Sequence, residues 1–394
     1  MTHDPVTEKS PAQRLAAAAA AAFGLDLYRR LAADHQDLVF SPASIAAALQ
    51  LALLGARGRT AEQLAAALHL DQTDPAGGAE AGLRLLSEVI QTAGPDGGST
   101  LRAPNTLWVQ AGLPLESSYT RQVQDVAAAA VEEADFRGAP QQARAAINEL
   151  IAGQTAGKIT NLLGRDAVTA ATRLVLANAV YLKARWAFPF TATATQDAPF
   201  HPGDGAGPIT VAMMHRTASL PYVRGDGYQA VLLPYQDLPL AMAIVLPDGP
   251  LAGLASQLGG DGGGLGPLLA GADRQSVAVA LPKFRQRTSA QLIPVLRQLG
   301  VQDAFTGAAD FTGITATERL VIDAVVHQAY IDVDEHGTEA AAATAIGMRA
   351  MALRREPQPI PFTVDRPFLF AITDTATGLP LFLGQATRPA AKTT

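Results

Sequence analysis

Apolar residues fall at helical spacing through the first third of the chain and at strand spacing through much of the rest. An alanine-rich run from Leu15 leads into Phe23, Leu25, Leu27 and Tyr28, which reads as a first helix rather than a secretory leader. Ser41-Pro42 has the form of a cap followed by a first-turn proline, and Ile45, Leu49, Leu53 and Leu54 then make one apolar stripe. Thr60-Ala61-Glu62-Gln63 resembles a capping box opening a helix over 64–68. Residues 71–78 read as loop and 81–91 as helix. Thr106 to Val109 reads as a strand, and 143–152 as a helix with Ile147, Leu150 and Ile151 inward. Residues 174–183 are apolar and β-rich, long enough for a strand buried on both faces. Short strands follow at 230–233, 241–246 and 277–281, separated by Pro/Gly turns. Leu251, Leu254 and Leu258 suggest a helix inside a glycine-rich stretch, and 288–299 reads as a helix despite Pro294. Strands at 368–373 and 381–383 close the chain. Residues 1–12 are polar and predict disorder.

Composition narrows the function classes. The 394 residues are 48% hydrophobic and 17% charged, with a net charge of −6. The basic residues are scattered, so nothing points to nucleic acid. No stretch reaches the eighteen or so apolar residues that span a bilayer, so no membrane partner is expected. Cysteine is absent, which excludes disulfides, thiolate metal sites and cysteine nucleophiles. No repeat or linker divides the chain, which favours one large α+β domain. No glycosylation sequon or targeting signal fixes a compartment.

Enzymatic motifs are missing or broken. Gly153 to Gly157-Lys158 has one residue too few for a phosphate-binding loop, and Ile159 stands where a metal-binding hydroxyl belongs. His3, His35, His69, His201, His215, His327 and His336 include no pair at metal-ligand spacing, so no metal and no cofactor are expected. No Gly-x-Ser-x-Gly elbow or His-Glu-x-x-His helix is present, and nothing positive supports a hydrolase triad.

One segment satisfies two conformations. Val325 to Val333 is a strand pattern, and Glu335-His336-Gly337-Thr338-Glu339-Ala340-Ala341-Ala342-Ala343-Thr344 follows it. Helix propensity favours a helix over 339–353. Placed instead as a strand, Thr338, Ala340, Ala342 and Thr344 share one face, all small and uncharged, and Glu339 falls on the other. Such a stretch could slide between two existing strands. Gly337 permits hinge dihedrals. A conflict of this kind is expected at a functional site.

Here the chain resembles the serpins, serine proteinase inhibitors, including their cysteine-free prokaryotic members. The hinge just quoted matches the inhibitory pattern. So do Phe40-Ser41-Pro42-Ala43-Ser44-Ile45, Leu176-Ala177-Asn178-Ala179-Val180-Tyr181-Leu182-Lys183 with Trp186, and Leu281-Pro282-Lys283-Phe284. Phe311-Thr312-Gly313-Ile314, Asp365-Arg366-Pro367-Phe368 and Leu383-Gly384 complete the series in family order. The resemblance implies an α+β single domain over 13–390 with a helical N-terminal half, and a four-residue tail at 391–394. It also implies a large central, mostly antiparallel sheet, further sheets, and an exposed reactive-centre loop at about 335–361.

It implies a mechanism as well. A serine proteinase attacks the loop and forms an acyl-enzyme. The freed loop end then inserts as a central strand and traps the enzyme, so the chain is an inhibitor and not an enzyme. Ser41, Ser44, Asn178 and His327 match the cluster that controls sheet opening, and Trp186 the position where insertion starts. The family spacing gives Met351-Ala352 as the scissile bond, which suits elastase-, chymotrypsin- or subtilisin-like targets. A shifted register would offer Ala350, or Arg349, Arg354 or Arg355 to trypsin-like enzymes. The helix over 81–91 carries Arg84 as its single base, which argues against heparin-type activation. The resemblance suggests a monomer and an extracellular setting, although this chain shows no signal peptide and a cytoplasmic one stays open. The rival expectation is a non-inhibitory carrier or chaperone of the same family.

Overall fold

In the computed structural model, which describes residues 9–32, 36–92, 99–126, 130–203, 205, 207–258, 265–338 and 358–389, Ser10 starts the first helix. Its hydroxyl accepts the Gln13 N–H while the Gln13 side chain accepts the Ser10 N–H, and Pro11 fills the first turn. Helix α1 (Pro11–Leu31) therefore begins inside the stretch expected to be disordered. Gln13 and Lys9 also bind Glu88, which secures the start.

After the short β1 (Leu38–Phe40) come α2 (Pro42–Gly55), capped by Ser41 as expected, α3 (Gly58–Ala67) and α4 (Pro75–Thr92). Thr60 is no helix start. It lies buried within α3, where its hydroxyl accepts the Asp310 N–H. α4 takes in the end of the expected loop, because the Asp74 carboxylate accepts the Gly77 N–H.

β2 (Thr100–Arg102), β3 (Asn105–Gln110), α5 (Ser117–Val126), β4 (Ala130–Ala134) and α6 (Pro140–Gln154) lead to β5 (Leu174–Arg185). β5 is buried almost throughout, as its unbroken apolar run required. Then follow β6 (Gln196–Phe200), β7 (Ile209–Gly225), β8 (Tyr228–Pro234), β9 (Leu240–Pro247), α7 (Leu251–Gln257), α8 (Leu265–Leu269), β10 (Asp273–Pro282) and β11 (Phe284–Gln291). β11 replaces the first half of the helix expected over 288–299. Phe284 and Gln286 alternate inward against β12, and α9 (Ile293–Gln298) starts only where Pro294 fits a first turn. β12 (Ile322–Val333), β13 (Gly337–Thr338), β14 (Ile360–Thr363), β15 (Phe368–Asp374) and β16 (Pro380–Ala386) end the chain.

Two sheets result. The nine-stranded one runs β1-β16-β15-β9-β8-β7-β10-β14, with β6 on β7. The seven-stranded one runs β11-β12-β13-β5-β3-β4, with β2 on β5, and it is mixed: β12–β5 and β3–β4 are parallel. The main core lies between the sheets and helices α1, α2 and α4, and Phe284 of the smaller sheet packs on Phe368 and Phe370 of the larger. A second core forms on the other face of the smaller sheet. There Ile147 and Ile151 of α6 cover Val175, Ala177, Ala179, Ala324 and Val326. Truncation there leaves a cavity over the sheet. Ile151→Ala lowers unfolding stability by about 2–5 kcal/mol, measured as a drop in denaturation midpoint at constant slope.

Candidate functional site

The smaller sheet is split part-way. β5 and β12 pair in parallel from Leu174 and Ile322 up to Val180 and Ala329, where their ladder ends. Beyond that point β13 stands between them. Thr338 pairs with Ala184 on one side and Val333 on the other, and Gly337 pairs with Arg185, both antiparallel. β13 is thus a short wedge at the head of the split, and the turn before it is tightly held. The Asp334 carboxylate accepts the N–H groups of His336 and Gly337, and the Asp334 N–H returns to the Gly337 carbonyl.

Glycine is required in the wedge. Gly337 has φ +155°, and a Cβ there would sit 2.0 Å from the Ala184 carbonyl oxygen. Thr338 is buried, and its hydroxyl shares a 2.6 Å hydrogen bond with Tyr235. Burial pushes the Tyr235 phenol up from its ordinary pKa, so it stays neutral.

Trp186 closes the head of the split. Its backbone N–H donates to the His336 carbonyl at 2.8 Å and its indole N–H to the Asp334 carbonyl at 3.0 Å. The ring stacks on Tyr235 with centroids 4.7 Å apart and meets the edge of Phe190. Glu335 is 6% exposed and anchors the turn. It accepts Lys283 at 2.7 Å and Thr195 at 2.7 Å. Burial pushes its carboxyl up, but the hydrogen bonds from Lys283 and Thr195 prevail and hold it below the usual range. Asp334, Glu335 and His336 bring ligand atoms within 4.8 Å of one another. Their carboxylates are already engaged by turn amides and by Lys283.

Ser41, Ser44, Asn178 and His327 meet beneath the upper rungs of the ladder, where His327 and Asn178 are a register pair. The Ser41 N–H donates to His327 Nε2 at 3.1 Å, so Nδ1 carries the proton and donates to the Asn178 side-chain oxygen. The Ser41 hydroxyl accepts the Ser44 N–H, and the Ser44 hydroxyl donates to Asn105 at 2.7 Å. Asn178 Nδ2 has no hydrogen-bond partner among the described residues. The cluster ties both strands to the start of α2.

Tyr235, Thr195, Asn105 and the pairing role of Lys283 escaped the sequence reading. Lys283 lay in a quoted motif and Asn105 beside a recognised strand; Tyr235 and Thr195 carried no signal. Glu339, Ala340, Ala341, Ala342, Ala343 and Thr344 lie outside the described residues, and so do Arg349, Ala350, Met351, Ala352, Arg354 and Arg355.

Burial lowers the His327 pKa to about 3. The unfolded chain, with a value near ~6.5, takes up the proton first as pH falls. Stability is therefore full above pH ~7 and declines between ~6.5 and ~3, at about 1.4 kcal/mol per pH unit. His327→Gln removes this slope. Its denaturation midpoint falls less steeply than the parent's between pH 6.5 and 4, and equal slopes would refute the assignment.

The sequence matches the profile of the serpin (serine protease inhibitor) family over residues 18–389. An uncharacterised serpin-like protein of Thermococcus kodakarensis is 40% identical over 93% of this chain and 84% of its own length. The leukocyte elastase inhibitor of Bos taurus is 34% identical over 93% of this chain and 97% of its own. The crystal structure of Serpin48 from the insect Tenebrio molitor superposes with a TM-score of 0.82 at 29% identity, covering 97% of this chain and all of that one. A thyroxine-binding globulin solved with thyroxine reaches the same TM-score at 25% identity, covering 95% and 99%. A split sheet with a wedge at its head, matched to these relatives nearly end to end, identifies the chain: it belongs to the serpin family.

Proposed function

We propose that this serpin inhibits a serine proteinase as a suicide substrate. The observation that carries the reading is the register of the wedge. Counted on from Thr338 opposite Ala184 and Val333, Thr344 falls between Asn178 and His327 in both ladders, and those two already face each other. The two strands thus accept one continuous strand without a slip. On it Ala340, Ala342 and Thr344 would meet the main core, and Glu339 would lie level with Lys183 and Asp332, both half-buried on the opposite face.

The chemistry needs no catalytic group of the inhibitor. The serine Oγ of the proteinase attacks the Met351 carbonyl, the bond to Ala352 breaks, and the Ala352 amine leaves with a proton. Met351 remains as an ester on the enzyme. Insertion of the freed strand exchanges one parallel ladder for two antiparallel ones, each new hydrogen bond contributing about 0.5–1.5 kcal/mol net. The same register takes Met348 to Leu174 at the foot of β5. Cleavage after Met351, or after its neighbours Arg349 and Ala350, leaves a short tether to the proteinase. Cleavage at Arg354 or Arg355 adds three or four residues beyond Met351, on the order of 10–13 Å of slack, which lets the enzyme keep its geometry. Cleavage at Met351 suits a target with an apolar primary pocket, as in elastase-, chymotrypsin- or subtilisin-like enzymes, whereas cleavage after Arg349 would suit a trypsin-like one. Arg84 is the one base of α4 and is paired with Glu80, which offers no basic face for a polysaccharide.

Incubation with elastase or subtilisin yields an adduct stable in SDS and a released fragment that begins at Ala352 by mass analysis. Cleavage without an adduct, as a carrier of this fold would give, sinks the reading. Thr344→Arg, which forces a bulky cation between Asn178 and His327, converts the inhibitor into a substrate with at least a tenfold loss of adduct. The cleaved parent protein melts well above the intact one, and an unchanged melting temperature would contradict insertion.

A further inference from the structure

The smaller sheet is fastened across its dividing line a second time, at the end opposite the wedge. β12 begins with a bulge, where the pairing with β5 shifts register between Ile322 and Ala324 and leaves Asp323 out of the ladder. The Asp323 carboxylate turns across to β5 instead. One oxygen accepts the Arg173 N–H at 2.7 Å and the Leu174 N–H at 3.3 Å. Earlier in the same approach to β12, Glu318 accepts Arg173 Nε at 2.9 Å and a guanidinium nitrogen of Arg137.

Arg137 stands in the turn between β4 and α6, and its N–H donates to the Gln110 side chain at the end of β3. The Gln110 N–H in turn donates to the Arg173 carbonyl. All the donors thus belong to the half of the sheet made of β4, β3, β5 and α6. Both acceptors belong to the chain that enters β12. The contacts accepted by Glu318 and Asp323 cross the line along which β5 and β12 would part, and the Gln110 bonds brace the donor side. Burial pushes the Glu318 carboxyl up, but hydrogen bonds from both arginines prevail and hold it ionised.

We propose that Glu318 and Asp323 form a clamp that holds the foot of the sheet closed, so that full strand insertion requires its release. Both are positioning residues, since they touch no proteinase and act through β5. Its functional meaning rests on the insertion reading, but the clamp itself is a property of the uncleaved protein. A weak clamp lets an intact loop insert unprompted. An over-strong one stalls a cleaved loop before the proteinase reaches the foot, and water then frees the enzyme.

The test is amide hydrogen exchange on the uncleaved protein, read on peptides covering 174–180 and 322–329. Glu318→Gln, Asp323→Asn and Arg137→Ala each raise exchange there by about three- to tenfold, as expected for partly exposed charged contacts. Peptides covering 368–386 stay at the parental rate, and Arg137→Lys keeps most of the protection. Added salt, by screening the charges, reduces the difference between parent and Glu318→Gln. Unchanged exchange at the foot in all three variants, or an equal rise throughout the molecule, overturns the clamp. Because no proteinase is involved, failure of the adduct assay leaves this measurement intact, and a normal adduct with unchanged exchange rejects the clamp alone.

Discussion

The ladder between β5 and β12 is parallel and stops at Val180 and Ala329, well short of the ends of both strands. Everything else in the site follows from that incomplete pairing. A parallel pair leaves room for a strand antiparallel to both neighbours, and β13 already occupies the head of that space. Below it, each fastening joins one side of the line to the other. The His327–Asn178 pair ties the strands to each other and, through Ser41, to the start of α2. A backbone ladder alone would leave the sheet to open from either end.

If the proposed insertion takes place, such a sheet is not the most stable arrangement of its own chain. Backbone groups along an unfilled strand edge seek partners, and the proposed insertion would satisfy them with a segment of the same molecule. Persistence of the open form is then a matter of barriers rather than of equilibrium. Those barriers are visible as side chains. They include the apolar cover of α6 over Ala177 and Val326, the buried neutral His327, and the ion pair of Glu335 with Lys283. None of them is large alone, and each bears on a different stage of the movement.

Much of this was legible in the sequence, and the rest was not for definable reasons. The alternation of Thr338 through Thr344 was legible because side-chain size is local information, and of that stretch the described residues include Thr338. Ser41, Ser44, Asn178 and His327 came from motif resemblance, since no spacing rule connects residues brought together by three separate elements. β11 was misread because Thr288 to Leu299 is helical in propensity, while its pairing with β12 is a long-range contact. The start of α1 was missed because Ser10 and Gln13 act as a reciprocal cap within an otherwise polar stretch. Asp323 could not have been found at all. Its role depends on a one-residue register shift against a strand about 150 positions away, information that exists only after the sheet has formed.

The wedge also changes the kinetic character of the site. Adding a strand to a sheet resembles growth of a one-dimensional crystal, in which the slow event is the first unit placed in register. Here Thr338 is already seated between Ala184 and Val333, so the seed is part of the resting molecule. In the proposed insertion, growth would have a single origin, a single direction and a single permitted register. The turn at Asp334 would fix all three, and the folded chain would carry its own template for that proposed transition.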